Sequence, residues 1–221
     1  MSKALVDLIT NTRKDDLVRM AGKYCKHGHT LLAHPKCFQR RDERVGILDI
    51  ETSDLCADYG FMLSYCIKEV NGPLIENNIG VNEIREGRWD KRLVENCVRD
   101  IQQFDRLVGW YSSCFDIPFI RTRALKWGIE FPRWGTIWHT DLWNVARKKL
   151  KLRNNRLQTA CELFGVPAKD TRLTPEICMS SRAGDSGAIA QVLKHNIEDV
   201  YSTEELYWLV SGMYHVTKSS I

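Results

Sequence analysis

Residues 45–52 read Val-Gly-Ile-Leu-Asp-Ile-Glu-Thr, an apolar run rich in branched side chains that predicts a strand, and its period of two turns Asp49 and Glu51 toward one face. A second apolar run at 61–70 predicts a neighbouring strand, and 81–84 a third, edge piece, so the three read as an antiparallel meander. The pattern then changes. Residues 92–104 predict a helix, 106–110 a short buried strand, and 117–127 a helix with Ser112 or Ser113 available near its start. Beyond these come a strand at 136–139, a helix at 142–150 capped by Asp141, a helix at 157–164 stopped by Gly165 and Pro167, and a last helix at 186–214. Strands first and βα units afterwards predict one α/β domain, a mixed five-stranded sheet flanked by helices. Upstream, Leu5, Leu8, Ile9, Leu17, Val18 and Met20 mark a helical arm that a charged link, 39–44, joins to the first strand. The division expected is an arm over residues 1–43 and a domain over 44–221.

With 221 residues, 43% hydrophobic and 27% charged, the chain is long enough for one full core and has an ordinary globular composition. Net charge is only +4, yet Arg147, Lys148, Lys149, Lys151, Arg153 and Arg156 crowd into ten residues. That run suits a phosphate backbone, with a solvated helix face as the plain alternative. Eight scattered cysteines form no dense disulfide framework, and the N-terminus lacks the order of a signal peptide, so a reducing, cytoplasmic setting is expected. No apolar stretch approaches membrane-spanning length, and no membrane partner is expected.

Two carboxylates on the same face of an apolar strand repel each other and resist burial, which favours a divalent cation with oxygen ligands, Mg²⁺ or Mn²⁺. Asp116, in Phe115-Asp116-Ile117-Pro118-Phe119, and Asp199, in His195-Asn196-Ile197-Glu198-Asp199, also stand among apolar residues. Each has a plain alternative: a carboxylate at a helix start for Asp116, and a surface ion pair with His195 for Asp199.

Taken together, the set resembles the DEDD family of 3′–5′ exonucleases, which have a ribonuclease-H-like fold. The first motif looks like Asp49-Ile50-Glu51-Thr52 with Leu55 close behind, the second like residues 115–119 and the third like 195–199, and the similarity runs over residues 44–214. The resemblance implies that Asp49, Glu51, Asp116 and Asp199 hold two divalent ions, that the backbone at Thr52 lies near a terminal 3′-hydroxyl, and that Leu55 wedges against the last base. Core packing is the alternative for Leu55. One branch of the family carries a Tyr four residues before the last Asp and another a His five before it; here His195 stands in the four-residue slot and Lys194 in the five-residue one. His195 is thus the candidate group that orients or deprotonates water. Many relatives also carry an Asn near Tyr111 or Ser112, which this chain lacks. The implied activity is exonucleolytic hydrolysis of single-stranded DNA or RNA from a 3′ end. A structure-selective endonuclease on the same fold and a non-catalytic nucleic-acid-binding module are the alternatives.

Residues 25–37 gather Cys25, His27, His29, His34 and Cys37. Cys25, His29, His34 and Cys37 offer four ligands at separations suited to tetrahedral zinc, with His27 in reserve; a solvated His-rich turn and buried thiols are the alternatives. A closed structural zinc site predicts one tightly held zinc per chain. Elemental analysis of protein purified without chelators should find it, and changing Cys25 and Cys37 together to Ser should remove it and melt the arm before the domain.

Overall fold

A central strand that is apolar on both faces organises the molecule. The computed structural model describes residues 30–33, 43–167, 171–213 and 219–221, and the chain divides into two units, Met1–Asp42 and Glu43–Ile221. The second unit holds five strands in the order β3-β2-β1-β4-β5: β1 (Val45–Thr52), β2 (Met62–Glu69), β3 (Leu74–Asn78), β4 (Arg106–Gly109) and β5 (Trp138–Asp141). β1–β2 and β2–β3 are antiparallel and β1–β4 and β4–β5 parallel, so the sheet is mixed. Residues 219–221 run along the outer side of β5, where His139 N–H donates to Ser219 and Ile221 N–H to Ile137.

Alternation along β1 divides the core. Leu48 and Ile50 join a cluster built with α2 (Lys91–Ile101) and α3 (Asp116–Trp127), while Val45 and Ile47 join a second cluster with α4 (Leu142–Lys149), α5 (Leu157–Phe164) and the later turns of α7 (Ser186–Val210). Asp49 and Glu51 continue the second face. They therefore point toward the layer that contains α7, a 25-residue helix whose buried stripe includes Ile189, Val192, Asn196, Asp199, Thr203, Leu206 and Val210.

The sequence pattern misplaces the third strand. Residues 81–84 belong to a helix, α1 (Val81–Arg85), because Gly80 starts it and the Glu83 carboxylate returns to the Gly80 N–H at 2.7 Å. The strand is instead Leu74–Asn78, a half-buried edge piece with no clear alternation, which pairs with Ser64–Lys68. Helix α6 (Pro175–Arg182), opened by Thr174 and Pro175, was not anticipated, and α7 ends in α-form at Val210 before a 3₁₀ turn at Ser211–Met213. The expected strand at 136–139 lies two residues later.

One buried ion pair ties the first core together. The Asp90 carboxylate, fully buried, accepts from Arg123 at 2.6 and 2.8 Å, from Trp127 Nε1 at 2.9 Å and from the Met62 N–H at 2.8 Å, and so joins the starts of α2 and β2 to α3. Removing one partner of such a pair strands the other charge. Asp90→Ala should lower stability by about 3–5 kcal/mol, measured by urea denaturation.

Candidate active site

At the end of β1 the strand stops pairing with β4 while it continues against β2. β4 matches only Val45 to Ile47, so the Ile50 N–H, which points to that side, has no strand carbonyl opposite and donates to Asp116 Oδ1 at 3.0 Å. Asp116 is thereby fixed between the positions of Asp49 and Glu51. Across β2, Asp49 faces Cys66 and Glu51 faces Ser64, two small residues that leave the carboxylates room, and the pairing slips by one residue between Glu51 and Thr52. Such a slip bends the strand and re-aims its last side chains.

Helix α7 completes the cluster. Its Asn196, fully buried, donates from Nδ2 to Asp49 Oδ2 at 3.0 Å. His195 Nε2 stands 3.6 Å from Asp199 Oδ2 and 3.9 Å from Glu51 Oε1, and ligand atoms of Glu51, His195 and Asp199 lie within 4.8 Å of one another. On the other side of the imidazole, Nδ1 is 3.2 Å from the Thr171 carbonyl and 3.1 Å from its hydroxyl. Since a carbonyl only accepts, that contact puts the proton on Nδ1 and leaves the lone pair of a neutral ring on Nε2.

The turn that delivers Asp116 is held by β5. Asp141, the expected cap of α4, accepts from Trp143 N–H at 3.0 Å, and also from the N–H groups of Tyr111 at 2.9 Å and Ser113 at 3.0 Å and from the Ser113 hydroxyl. Ser112 bonds His139 Nε2 at 2.9 Å. Neither serine caps α3, because both hydroxyls are engaged by β5. Burial pushes the His139 imidazole down to about 4, so it is a neutral, structural partner. Gly109 allows this close approach: a Cβ there would come within 2.6 Å of the Ser112 side chain and 3.0 Å of the Leu48 carbonyl. Tyr111 takes a left-handed φ of 63°, a conformation in which Asn is far more common than a bulky aromatic, and its ring meets Trp143 edge-on at 5.0 Å. Arg147, the first residue of the basic run, lies over the other ring of that pair, 5.2 Å from the Trp143 centroid.

Burial raises the Asp116 carboxyl well above the usual range, and the charges of Asp49 and Glu51 push it the same way, against hydrogen bonds from the backbone of Ile50 and of Asp116 itself. Thus Asp49, Glu51, Asp116, His195 and Asp199 are brought to one place, the compact trio by distance and the other two through Asn196 and Ile50. Thr52 is half-buried, its hydroxyl donating to the Asp54 carbonyl at 2.8 Å. Leu55 is 81% exposed, which excludes core packing. Cys25, His29, His34 and Cys37 lie outside the described residues. Asn196 and Thr171 are the groups that sequence reasoning missed; the signal for Asn196 was its place three residues before Asp199 on the same buried stripe of α7.

A family model, RNase_H_2 of the RNase_H superfamily, matches residues 47–211. A mixed sheet with carboxylates gathered at the end of its central strand defines a nuclease-like α/β domain of ribonuclease-H type. The chain belongs to the RNase_H superfamily. No curated protein matches the chain. Among solved structures it is similar to the family B DNA polymerase from the hyperthermophilic archaeon Pyrobaculum calidifontis, with 21% sequence identity and a TM-score of 0.64, over 77% of this chain and 25% of that one. At that identity the likeness is one of fold, and the chain spans about a quarter of the polymerase's length. Among the described residues no helix is long and apolar enough to cross a membrane.

The crowding at Asp116 has a consequence for stability. A carboxyl whose pKa is raised by folding keeps its proton longer than in the unfolded chain, so metal-free protein should lose stability as pH rises from the ordinary carboxylate range through the raised value. Asp116→Asn keeps an oxygen to accept from Ile50 and removes the charge. Thermal melting in EDTA should show a flatter pH dependence and a higher Tm at neutral pH, by about 2–4 °C for each kcal/mol relieved.

Proposed function

We propose that the chain is a metal-dependent 3′–5′ exonuclease that hydrolyses phosphodiester bonds at a single-stranded end of DNA or RNA. The observation that carries this reading is the convergence of Asp49 and Glu51 from β1, Asp116 from α3, and His195 and Asp199 from α7 at one end of the central strand. Four carboxylates are hard oxygen donors, and the mutual repulsion felt at Asp116 is what a divalent cation relieves, so the donor set fits two Mg²⁺ or Mn²⁺ ions held by Asp49, Glu51, Asp116 and Asp199. When bound, such ions activate water, polarise the phosphate and stabilise the leaving oxygen.

The chain's own groups supply the remainder. Thr171 holds the His195 ring through Nδ1 with Nε2 toward Glu51 and Asp199, and there Nε2 takes the proton of the water that attacks phosphorus. Asn196 fixes the Asp49 carboxylate from inside the helix layer. The exposed Leu55 side chain, three residues after Thr52, is free to pack on a terminal base while the Thr52 backbone meets the 3′-hydroxyl. Arg147, Lys148 and Lys149, exposed in the last turn of α4, begin next to the turn that carries Asp116 and give the strand's phosphates a cationic surface. For the arm, the proposal of a structural zinc at Cys25, His29, His34 and Cys37 rests on their spacing alone.

The test is a time course on single-stranded DNA and RNA labelled at either end. A ladder descending from the 3′ end with Mg²⁺ or Mn²⁺, stopped by EDTA, is expected. Internal cuts would favour an endonuclease, and no cutting under any condition a binding module. Asp49→Ala and Asp116→Ala should abolish hydrolysis. His195→Ala should lose about two orders of magnitude in kcat, the usual share of a positioned acid–base group, and His195→Tyr should keep substantial activity. Wild-type turnover by either Asp variant at saturating Mg²⁺ would rule out the site.

A further inference from the structure

The connection between β1 and β2 builds a second recess. Residues 53–61 turn back tightly: the Gly60 N–H donates to the Cys56 carbonyl at 2.7 Å, and a Cβ on Gly60 would come within 2.9 Å of both Asp54 Cβ and that carbonyl. The turn thereby presents Tyr59 outward, 78% exposed, with Phe61 behind it. Phe61 packs on Trp89, ring centroids 5.1 Å apart. Trp89 is held at a φ of 50°, disfavoured for a bulky side chain, by N–H donation to Glu83 at 3.0 Å, and its ring still stays partly exposed.

These three rings wall a cavity of about 320 Å³, and its charged lining is all cationic: Arg123, Lys126 and Arg182. No carboxylate is among the described residues that line it. Arg123 is neutralised by Asp90, whereas Arg182 reaches Asp54 only at 3.5 Å with both side chains partly in solvent, and Lys126 is exposed. Flat aromatic faces beside exposed cations are the chemistry that binds a base together with its phosphate. The volume falls at the small end of ligand pockets.

We propose that this cavity is a nucleotide subsite, with the base against Tyr59 and Trp89 and the phosphate against Lys126 and Arg182. Arg182 lies 3.5 Å from Asp54, which follows Glu51 by three residues on the segment that leaves β1. The subsite is therefore tied through Asp54 to the segment that continues from the acidic strand. The inference deepens the exonuclease reading, but binding is measured here without hydrolysis, so failure of either is seen separately.

The experiment uses the full chain with Asp116→Asn in EDTA, and titrates fluorescein-labelled eight-nucleotide single strands by anisotropy and an unlabelled nucleoside 5′-monophosphate by calorimetry. Tyr59→Ala, chosen because Tyr59 is exposed whereas Trp89 packs in the fold, should weaken binding about tenfold, the share of one stacked ring. The pair Lys126→Gln and Arg182→Gln should weaken it comparably and also flatten its dependence on salt, which a purely structural effect would not do. Sensitivity of the oligonucleotide alone assigns the subsite to a strand, and sensitivity of the monophosphate as well assigns it to a free nucleotide; both sustain it. Unchanged affinity and salt dependence in both variants, with either ligand, would overturn it.

Discussion

Carboxylate crowding at the half-buried end of β1 is the constraint around which the rest of the domain is arranged. A central strand is covered on both faces, and Leu48, Ile50, Val45 and Ile47 meet that condition with apolar side chains. Asp49 and Glu51 break it on the face toward α7. Placing charge there is costly unless each carboxylate is held and the repulsion is met by a counter-charge. The neighbouring elements provide the holding: Asn196 on Asp49, His195 beside Glu51 and Asp199, and the unpaired strand N–H of Ile50 on Asp116. The raised pKa of Asp116 is the remaining imbalance, and it is the one that the proposed divalent cations would relieve.

The position of Asp116 is settled by contacts remote from the cluster itself. β4 ends at Gly109, where Ser112 fills the space a side chain would need, and the turn beyond it is hung from Asp141 and His139 on β5. Keeping His139 neutral matters to this arrangement, since a charged imidazole buried against Ser112 would have to be solvated from a side that the fold closes. β5 therefore acts at a distance: its Asp141 orients the turn, and the turn sets Asp116 against β1.

Much of this was legible in the sequence, for identifiable reasons. The acidic strand, the helix ended by Gly165 and the Asp141 cap are local signals, in which alternation, a left-handed glycine at φ 70° and a short polar residue before an apolar run each have one reading. The failures were tertiary in all but one case, the local capping contact at Gly80. Leu74–Asn78 lies at the sheet edge, where half-burial erases alternation, while Val81–Ile84 looks apolar enough for a strand but is turned into a helix by Glu83 reaching back to Gly80. Ser112 and Ser113 have the chemistry of helix caps, and only β5, some thirty residues later, diverts them. Asn196 and Thr171 carry no motif of their own; their roles arise from the groups that happen to face them.

The layout of α7 explains how one helix can serve both the interior and the chemistry. Asn196 lies at the centre of the buried stripe and holds Asp49 from within, Asp199 follows one turn later with its side chain 11% exposed, and His195 sits on the flank with its side chain 16% exposed. Burial thus decreases from the residue that only positions to the residue proposed to exchange a proton. A histidine five residues before Asp199 would stand about 100° further round the helix, where Lys194 now points into solvent and pairs with Glu198 at 3.7 Å. From the four-residue slot, by contrast, the ring reaches the acids with Nε2 while Thr171 steadies Nδ1. The departure from the spacing of the exonuclease family that the sequence resembles is therefore coherent with the local geometry: the imidazole in the slot that one branch of that family gives to a tyrosine has its own orienting partner, supplied by the segment that leads into α6.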